Sequence, residues 1–237
     1  MKKLIIPILF LLLSGCSKEV VRYHGHQYKV IEAGSQRWMA ENLQTSKYRS
    51  GKKIPLINDL SAWPELTSGA CGFFGGDTSR LEKYGMFYNW KAIDEGKLCP
   101  FRWSVPTNDN WLKLEEFLGG EMRAGGKMKS ITGWKGKHVS GDDIGFNARP
   151  GGYRLNFDTQ EGESTVWWSS SIARMNKLED INTGVTGSTN DPGNKWIWGR
   201  RLERDRNMLM NTVNRPNNGF YVRCVKKGNF NKREKQK

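Results

Sequence analysis

The adjacent pair Trp167 and Trp168, in the stretch "VWWSSS" from Val166 to Ser171, constrains the fold more than any other feature of the chain. Its β-branched and aromatic content reads as a strand. Neighbouring side chains of a strand point to opposite faces, so both indoles can be buried only if the strand is covered on both sides. Otherwise one of them is a platform for a ligand. The expectation is that both rings pack.

The first residues bear on where such a sheet would sit. Lys2 and Lys3 precede an apolar run, Leu4 to Leu13, which is too short to cross a bilayer and reads as a secretory leader. The run closes on Leu13-Ser14-Gly15-Cys16, which resembles a bacterial lipobox. Residues 1–15 are therefore expected to be a signal peptide, 16–23 a lipidated tether, 24–226 the folded domain and 227–237 a basic disordered tail. Acyl chains on Cys16 would hold the mature chain on a membrane of the bacterial cell envelope, at the outer membrane or cell surface, since each buried methylene contributes about 0.8 kcal/mol.

Charge and cysteine count narrow the partners. Removing Lys2 and Lys3 lowers the formal charge of +14 by only two. In a cytosolic protein that charge would point to nucleic acid. Export argues against a nucleic-acid partner and for acidic surfaces, such as anionic glycans or lipid headgroups. Beyond Cys16 the chain has Cys71, Cys99 and Cys224, an odd number in an oxidising compartment, so one thiol is left over. Ten Trp, ten Phe and seven Tyr supply one sizeable core.

The pattern along the chain is mixed. Residues 27–43 alternate around Ala33-Gly34-Ser35-Gln36 with Tyr28, Val30, Trp38 and Ala40 as inward candidates, a hairpin pattern. Tyr84, Phe87, Tyr88 and Ile93 have helical spacing ending at Gly96. "SVPTNDNWLKLEEFLGG" predicts a helix capped by Thr107, with Asp109 at its positive end, a Trp111, Leu114 and Leu118 stripe, and a stop at Gly119. Residues 124–143 read as glycine-rich loops, and Arg174 to Lys195 as a long polar loop. Three candidate strands, "KWIWGRRLE", "NMLMNTVNR" and "GFYVRCVKK", close the chain, the last two joined by a turn at Arg215 to Gly219.

The phrases "RWMAENL", "YGMFYNW", "LCPFRWSVPTNDNWLKL", "GGKMK", "GFNARPGGYR", "VWWSSS" and "GFYVRCVKK" occur in that order. Together they resemble the Fibrobacter succinogenes major paralogous domain, common in exported proteins and lipoproteins, from about Tyr28 to Val225. The resemblance implies an α+β, C-type-lectin-like fold similar also to formylglycine-generating enzymes. In it, two helices flank small twisted antiparallel sheets and the first and last strands are adjacent, and the tryptophan strand belongs to the central sheet, which implies Trp168 between sheet and helix and Trp167 on the other face beneath the long loop. It also implies a disulfide between Cys99 and Cys224. Many relatives have a second cysteine near Cys71 that this chain lacks, so Cys71 is expected to be a partly buried free thiol, with pairing to Cys99 or Cys224 as the alternative.

Candidate chemistry is sparse. His24 and His26 could share a strand face and hold a metal, but no third ligand accompanies them. His138 lies in a basic loop. Asp142-Asp143 and Glu161 with Glu163 are carboxylate pairs of the kind glycosidases use, placed in polar loops. The spare Cys71 falls short of the cysteine pair with which formylglycine-generating relatives bind copper. Calcium is the candidate cofactor, because Glu179, Asp180, Asn190, Asp191 and Asn194 gather hard oxygen donors in one loop. The lectin glutamate-proline-asparagine and tryptophan-asparagine-aspartate motifs are absent. Arg200, Arg201, Arg204 and Arg206 alternate with Glu203 and Asp205, either a solvated cross-strand ladder or, with Trp196 and Trp198, an anion-binding surface.

The reading is a cell-envelope lipoprotein whose domain binds a glycan or a partner surface protein and is not an enzyme. The expected ligand face comprises Trp196, Trp198, Arg200 and Arg201, with Trp167 beneath. The alternatives are a structural part of an envelope or appendage assembly, and an enzyme using Cys71 as redox or nucleophilic centre.

Overall fold

A computed structural model of the chain describes residues 19–136, 141–155, 158–173 and 195–227. Its architecture is mixed and sheet-rich, with few helices. One sheet has the order β1 (Val20–Tyr23), β2 (His26–Ala33), β3 (Gln36–Met39) and β12 (Val225–Lys227), all antiparallel. The second is mixed: β10 (Met210–Asn214), β9 (Ile197–Glu203), β8 (Ser164–Ile172), β11 (Phe220–Tyr221), β5 (Phe87–Tyr88) and β4 (Cys71–Gly72) run in that order. β6 (Gly151–Arg154) joins β8 in parallel and pairs with β7 (Asp158–Glu161).

The amino-terminal sheet begins earlier than expected. Val20–Tyr23, read as tether, form an edge strand because Val21 and Tyr23 alternate inward and pack against the core. The last strand does lie in this sheet, but it pairs with β3 and not with β1, which occupies the far edge. The Cys99–Cys224 disulfide and the pairing of Ser104 with Val225 hold it there. That disulfide closes 125 residues of chain, which in the chain-entropy model stabilises by about 4 to 5 kcal/mol. Between β11 and β12 the segment Val222-Arg223-Cys224 crosses from one sheet to the other, so the expected single carboxyl-terminal strand is broken in two.

Helix α3 (Asn108–Phe117) follows the sequence reading: Thr107 accepts from the Asn110 N–H, the Asn110 side chain accepts from the Thr107 N–H, and Trp111 and Leu114 are buried. The helix expected through Tyr84 to Ile93 is interrupted instead. It becomes α1 (Thr78–Tyr84), strand β5 and α2 (Trp90–Asp94). Gly85, at φ 86°, ends α1 where a Cβ would sit 2.7 Å from the Cβ of Asn42, and the Asn89 side chain caps α2.

A further helix, α4 (Glu121–Met128), replaces the first part of the expected glycine-rich loop. Two glycines inside it lower its intrinsic propensity. Tertiary contact requires one of them: a Cβ on Gly125 would lie 2.5 Å from the Met208 carbonyl oxygen, and the neighbouring Gly126 N–H donates to the Asn207 carbonyl.

Two hydrophobic clusters lie on opposite faces of β8. Trp168 belongs to one, with Tyr88, Trp90, Phe220 and the disulfide; Trp167 belongs to the other, with Trp38, Trp111, Phe146 and Leu202. Both indoles are 0 % exposed. The doublet is packing on both sides, as expected; Trp167 lies against Trp111 of α3 and Phe146 of the 141–149 loop, with ring centroids 6.0 and 5.9 Å apart, while residues 174–194 of the long loop expected above it lie outside the described residues. Each ring nitrogen is satisfied: Trp167 Nε1 donates to Asn42 Oδ1 at 2.8 Å and Trp168 Nε1 to the Tyr88 carbonyl at 2.7 Å.

Candidate functional site

The strand pairing that buries the tryptophan doublet also builds a groove beside it. β8 and β9 pair so that Val166 faces Arg201 and Trp167 faces Arg200. Alternation therefore sends Arg200 to the helix-covered side and Arg201 to the open side. On the open side Arg201 and Val166 line a groove of about 610 Å³ together with Tyr153 of β6, Phe220 of β11, Trp196 just before β9, and Arg215 in the turn after β10.

Aromatic faces and cations alternate along this groove. The Arg201 guanidinium lies 5.3 Å from the Tyr153 ring centre, and that of Arg215 lies 5.5 Å from the Trp196 ring. Arg201 also pairs with Glu203 at 2.8 Å, while Arg215 is exposed and has no carboxylate partner among the described residues. Two buried N–H groups here, Trp196 Nε1 and Arg201 Nε, have no hydrogen-bond acceptor among the described residues. Unpaired buried donors are costly, and a ligand oxygen would satisfy them.

The five residues expected on a ligand face are thus divided. Trp196 and Arg201 line the groove. Trp198 packs beside it against Ala173, Trp196 and Val213. Trp167 and Arg200 are sealed on the other face and cannot touch a ligand in the groove. Arg200 donates to the Gly199 carbonyl and to Asn108 Oδ1 at 2.9 Å, and burial pushes its guanidinium down to about 10. Tyr153, Phe220 and Arg215 were missed because they come from separate turns and strands; only the parallel pairing of Gly152 with Thr165 brings Tyr153 beside β8.

The other arginines of the run form ion pairs, Arg204 with Glu163 at 2.9 Å and Arg206 with Glu203 at 3.0 Å. Glu161 pairs with Arg80 at 3.2 Å, Glu163 with Arg204, and Asp142 accepts the Asn147 N–H, while burial pushes the Asp142 carboxyl up, with the neighbouring Asp143 charge adding to it. His24 sits in the β1–β2 turn against Thr45 Oγ1, whereas His26 pairs with Glu41 at 3.0 Å, so the two histidines do not converge. Among the described residues no group of three His, Cys, Asp or Glu side chains could hold a metal. Cys71 is free, and it is fully rather than partly buried; burial pushes its thiol up to about 12, against the low value a nucleophile needs. Cys16, His138 and the proposed calcium donors Glu179, Asp180, Asn190, Asp191 and Asn194 lie outside the described residues.

Neither a curated protein nor a solved structure matches the chain. The model of one protein family does, over residues 31–226, which takes in the second sheet, the four α-helices and the groove, and the first sheet from the end of β2 onward. The chain belongs to the Fibrobacter succinogenes major domain family.

Proposed function

We propose that this protein is a lipid-anchored component of the bacterial cell envelope whose C-type-lectin-like domain binds an acidic glycan in the groove between Tyr153, Trp196, Arg201 and Arg215, without catalysing a reaction. The observation that carries the reading is the interleaving of two aromatic faces with two guanidinium groups around unpaired buried N–H donors. Sugar rings stack their C–H faces on aromatic rings, and arginine binds carboxylates and sulfates in two-pronged fashion. Cys71 has neither the exposure nor the acidity for covalent work, which favours binding over the enzymatic alternative.

The test is binding of the full-length protein, in mild detergent, to an array of neutral and uronic-acid-containing glycans, with calcium and with a chelator. Saturable binding to acidic glycans, weakened at least tenfold by Arg201→Ala and by Arg215→Ala, is the expected outcome. Binding unaffected by either substitution would move the site elsewhere. Loss of binding in the chelator arm alone would bring calcium and the 174–194 segment into the site.

A further inference from the structure

Among the described residues three arginines are fully buried, Arg154, Arg200 and Arg223. Arg154 is neutralised by Asp158 in an ion pair, and its remaining nitrogens reach the Ile57 and Phe73 carbonyls. Arg223 has no such partner: no carboxylate of a described residue lies within the 4.0 Å that defines an ion pair. Its Nε and Nη2 both donate to Asn42 Oδ1, at 3.1 and 2.8 Å, and its Nη1 donates to the Phe146 carbonyl. A guanidinium has five N–H groups, so two are left over.

The surroundings supply only part of the missing charge: the carboxylates of Glu41 and Asp142 favour the charged form through space, from beyond ion-pair distance. Asn42 Oδ1 already takes a third hydrogen bond, from Trp167 Nε1. The Phe146 and Trp167 rings, 4.1 and 5.6 Å from the guanidinium carbon, cover its faces. A buried cation without a counter-charge is strongly disfavoured.

Arg223 also lines a second groove, of about 690 Å³, between the amino-terminal sheet, the end of α1 and the 141–149 loop. Lys29, Lys83 and Arg149 line the same groove, and none of them is in an ion pair with a described carboxylate. Three acids are present as well. Of these, Glu41 is engaged by His26, Asp142 accepts the Asn147 N–H, and Glu82 is exposed on the rim. Four cations against three carboxylates leave the lining with a small excess of positive charge around a space large enough for a small molecule.

We propose that this groove is an oxyanion-binding site, in which Arg223 receives a carboxylate or phosphate group and Arg149 assists from the wall. It is separate from the groove assigned above to glycan binding, and it stands or falls independently of that assignment. The geometry favours an anion over a metal ion because the buried group is itself a cation. Burial pushes the Arg223 guanidinium down to about 9, which an anion beside it would reverse.

The experiment is a titration of the full-length protein, labelled with 15N-arginine, by inorganic phosphate and by glucuronate, with sodium chloride at matched ionic strength as control. The Arg223 Nε–H resonance is assigned by its absence in Arg223→Lys. Its saturable shift with phosphate, glucuronate or both is the expected result, and the stronger of the two identifies the source of the oxyanion. Arg149→Ala, which leaves the buried hydrogen bonds in place, should weaken that binding at least tenfold, while Arg215→Ala in the other groove should leave it unchanged. Shifts that match the chloride control, that spare Arg223, or that are insensitive to Arg149→Ala would overturn the proposal, the last two marking adventitious surface binding.

Discussion

Arg200 and Arg201 are neighbours on β9, yet one lies in a sealed interior and the other on the wall of a groove. The same division runs through β8, where Trp167 joins the helix-covered cluster and Val166 lines the groove. On the sealed side, α3 and the loop before β10 cover the sheet, and Asn108, Asn42 and main-chain carbonyls hold the Trp167 indole and the terminal nitrogens of Arg200, although Arg200 Nε is itself unpaired among the described residues. On the open side, the sheet is flanked by turns and cations stack on aromatic rings. Strand alternation places consecutive residues in contrasting environments, so a functional surface need not be contiguous in sequence.

Substitutions on the two sides should separate stability from binding. The largest effect is expected for Trp167→Ala, which removes a buried indole and orphans part of the Asn42 network: a loss of about 3 to 5 kcal/mol in urea unfolding. Trp196→Ala should cost clearly less, because its cluster is small; equal losses would mean that the groove side is as tightly packed as the helix side.

Arg200→Ala is next, at about 2 to 4 kcal/mol, since it opens a cavity and strips Asn108 Oδ1 of its donor. The folded fraction should keep its glycan affinity. Gly125→Val should cost about 1 to 3 kcal/mol by driving α4 away from the carbonyls of Asn207 and Met208; a variant as stable as the parent would show that this approach is not tight.

Arg201→Ala should lower stability by less than about 1 kcal/mol, being partly exposed and paired with Glu203, while weakening the proposed glycan binding at least tenfold. A stability loss as large as that of Arg200→Ala would erase the distinction between the faces. The smallest effect concerns Cys71, in the cluster that lies beneath the groove. Iodoacetamide at pH 9 should leave the Cys71 peptide unmodified in the native protein and alkylate it in urea, as mass spectrometry would read. Native alkylation at the rate of a free thiol would show that this core opens.

Some of this was legible in residue order. Thr107, Asn110 and the Trp111–Leu114 stripe specify α3 by local interactions alone, and its bounds came out nearly as expected. The β2–β3 hairpin was equally readable from its alternation. Helix α4 was not, because its glycines lower helix propensity and are used for an approach to a loop about eighty residues away, which local sequence does not report. The Tyr84 to Ile93 pattern failed for a related reason: Gly85 and the Asn89 cap break a spacing that otherwise suits a helix.

The sites show the same boundary. Trp196 and Arg201 could be nominated because they lie together in one basic, aromatic stretch, but Tyr153, Arg215 and Phe220 join them only through sheet pairing. Arg223 attracted no attention in "GFYVRCVKK", since a lone arginine in a strand is ordinarily solvated. It became notable once the crossing between sheets placed it under Phe146 with no carboxylate beside it.

Sequence alone was enough to determine that the strand at Trp167 and Trp168 is either covered on both faces or presents one ring to a ligand, that Thr107 starts a helix, and that the chain resembles one family along most of its length. Tertiary structure decided which face is which. A period of two tells that Trp167 and Trp168, or Arg200 and Arg201, part company, but the pattern is symmetric with respect to the two sides. Only the elements that pack there, α3 over one face and the turns around Tyr153 and Arg215 beside the other, break that symmetry, and they are assembled by contacts between residues far apart in the chain.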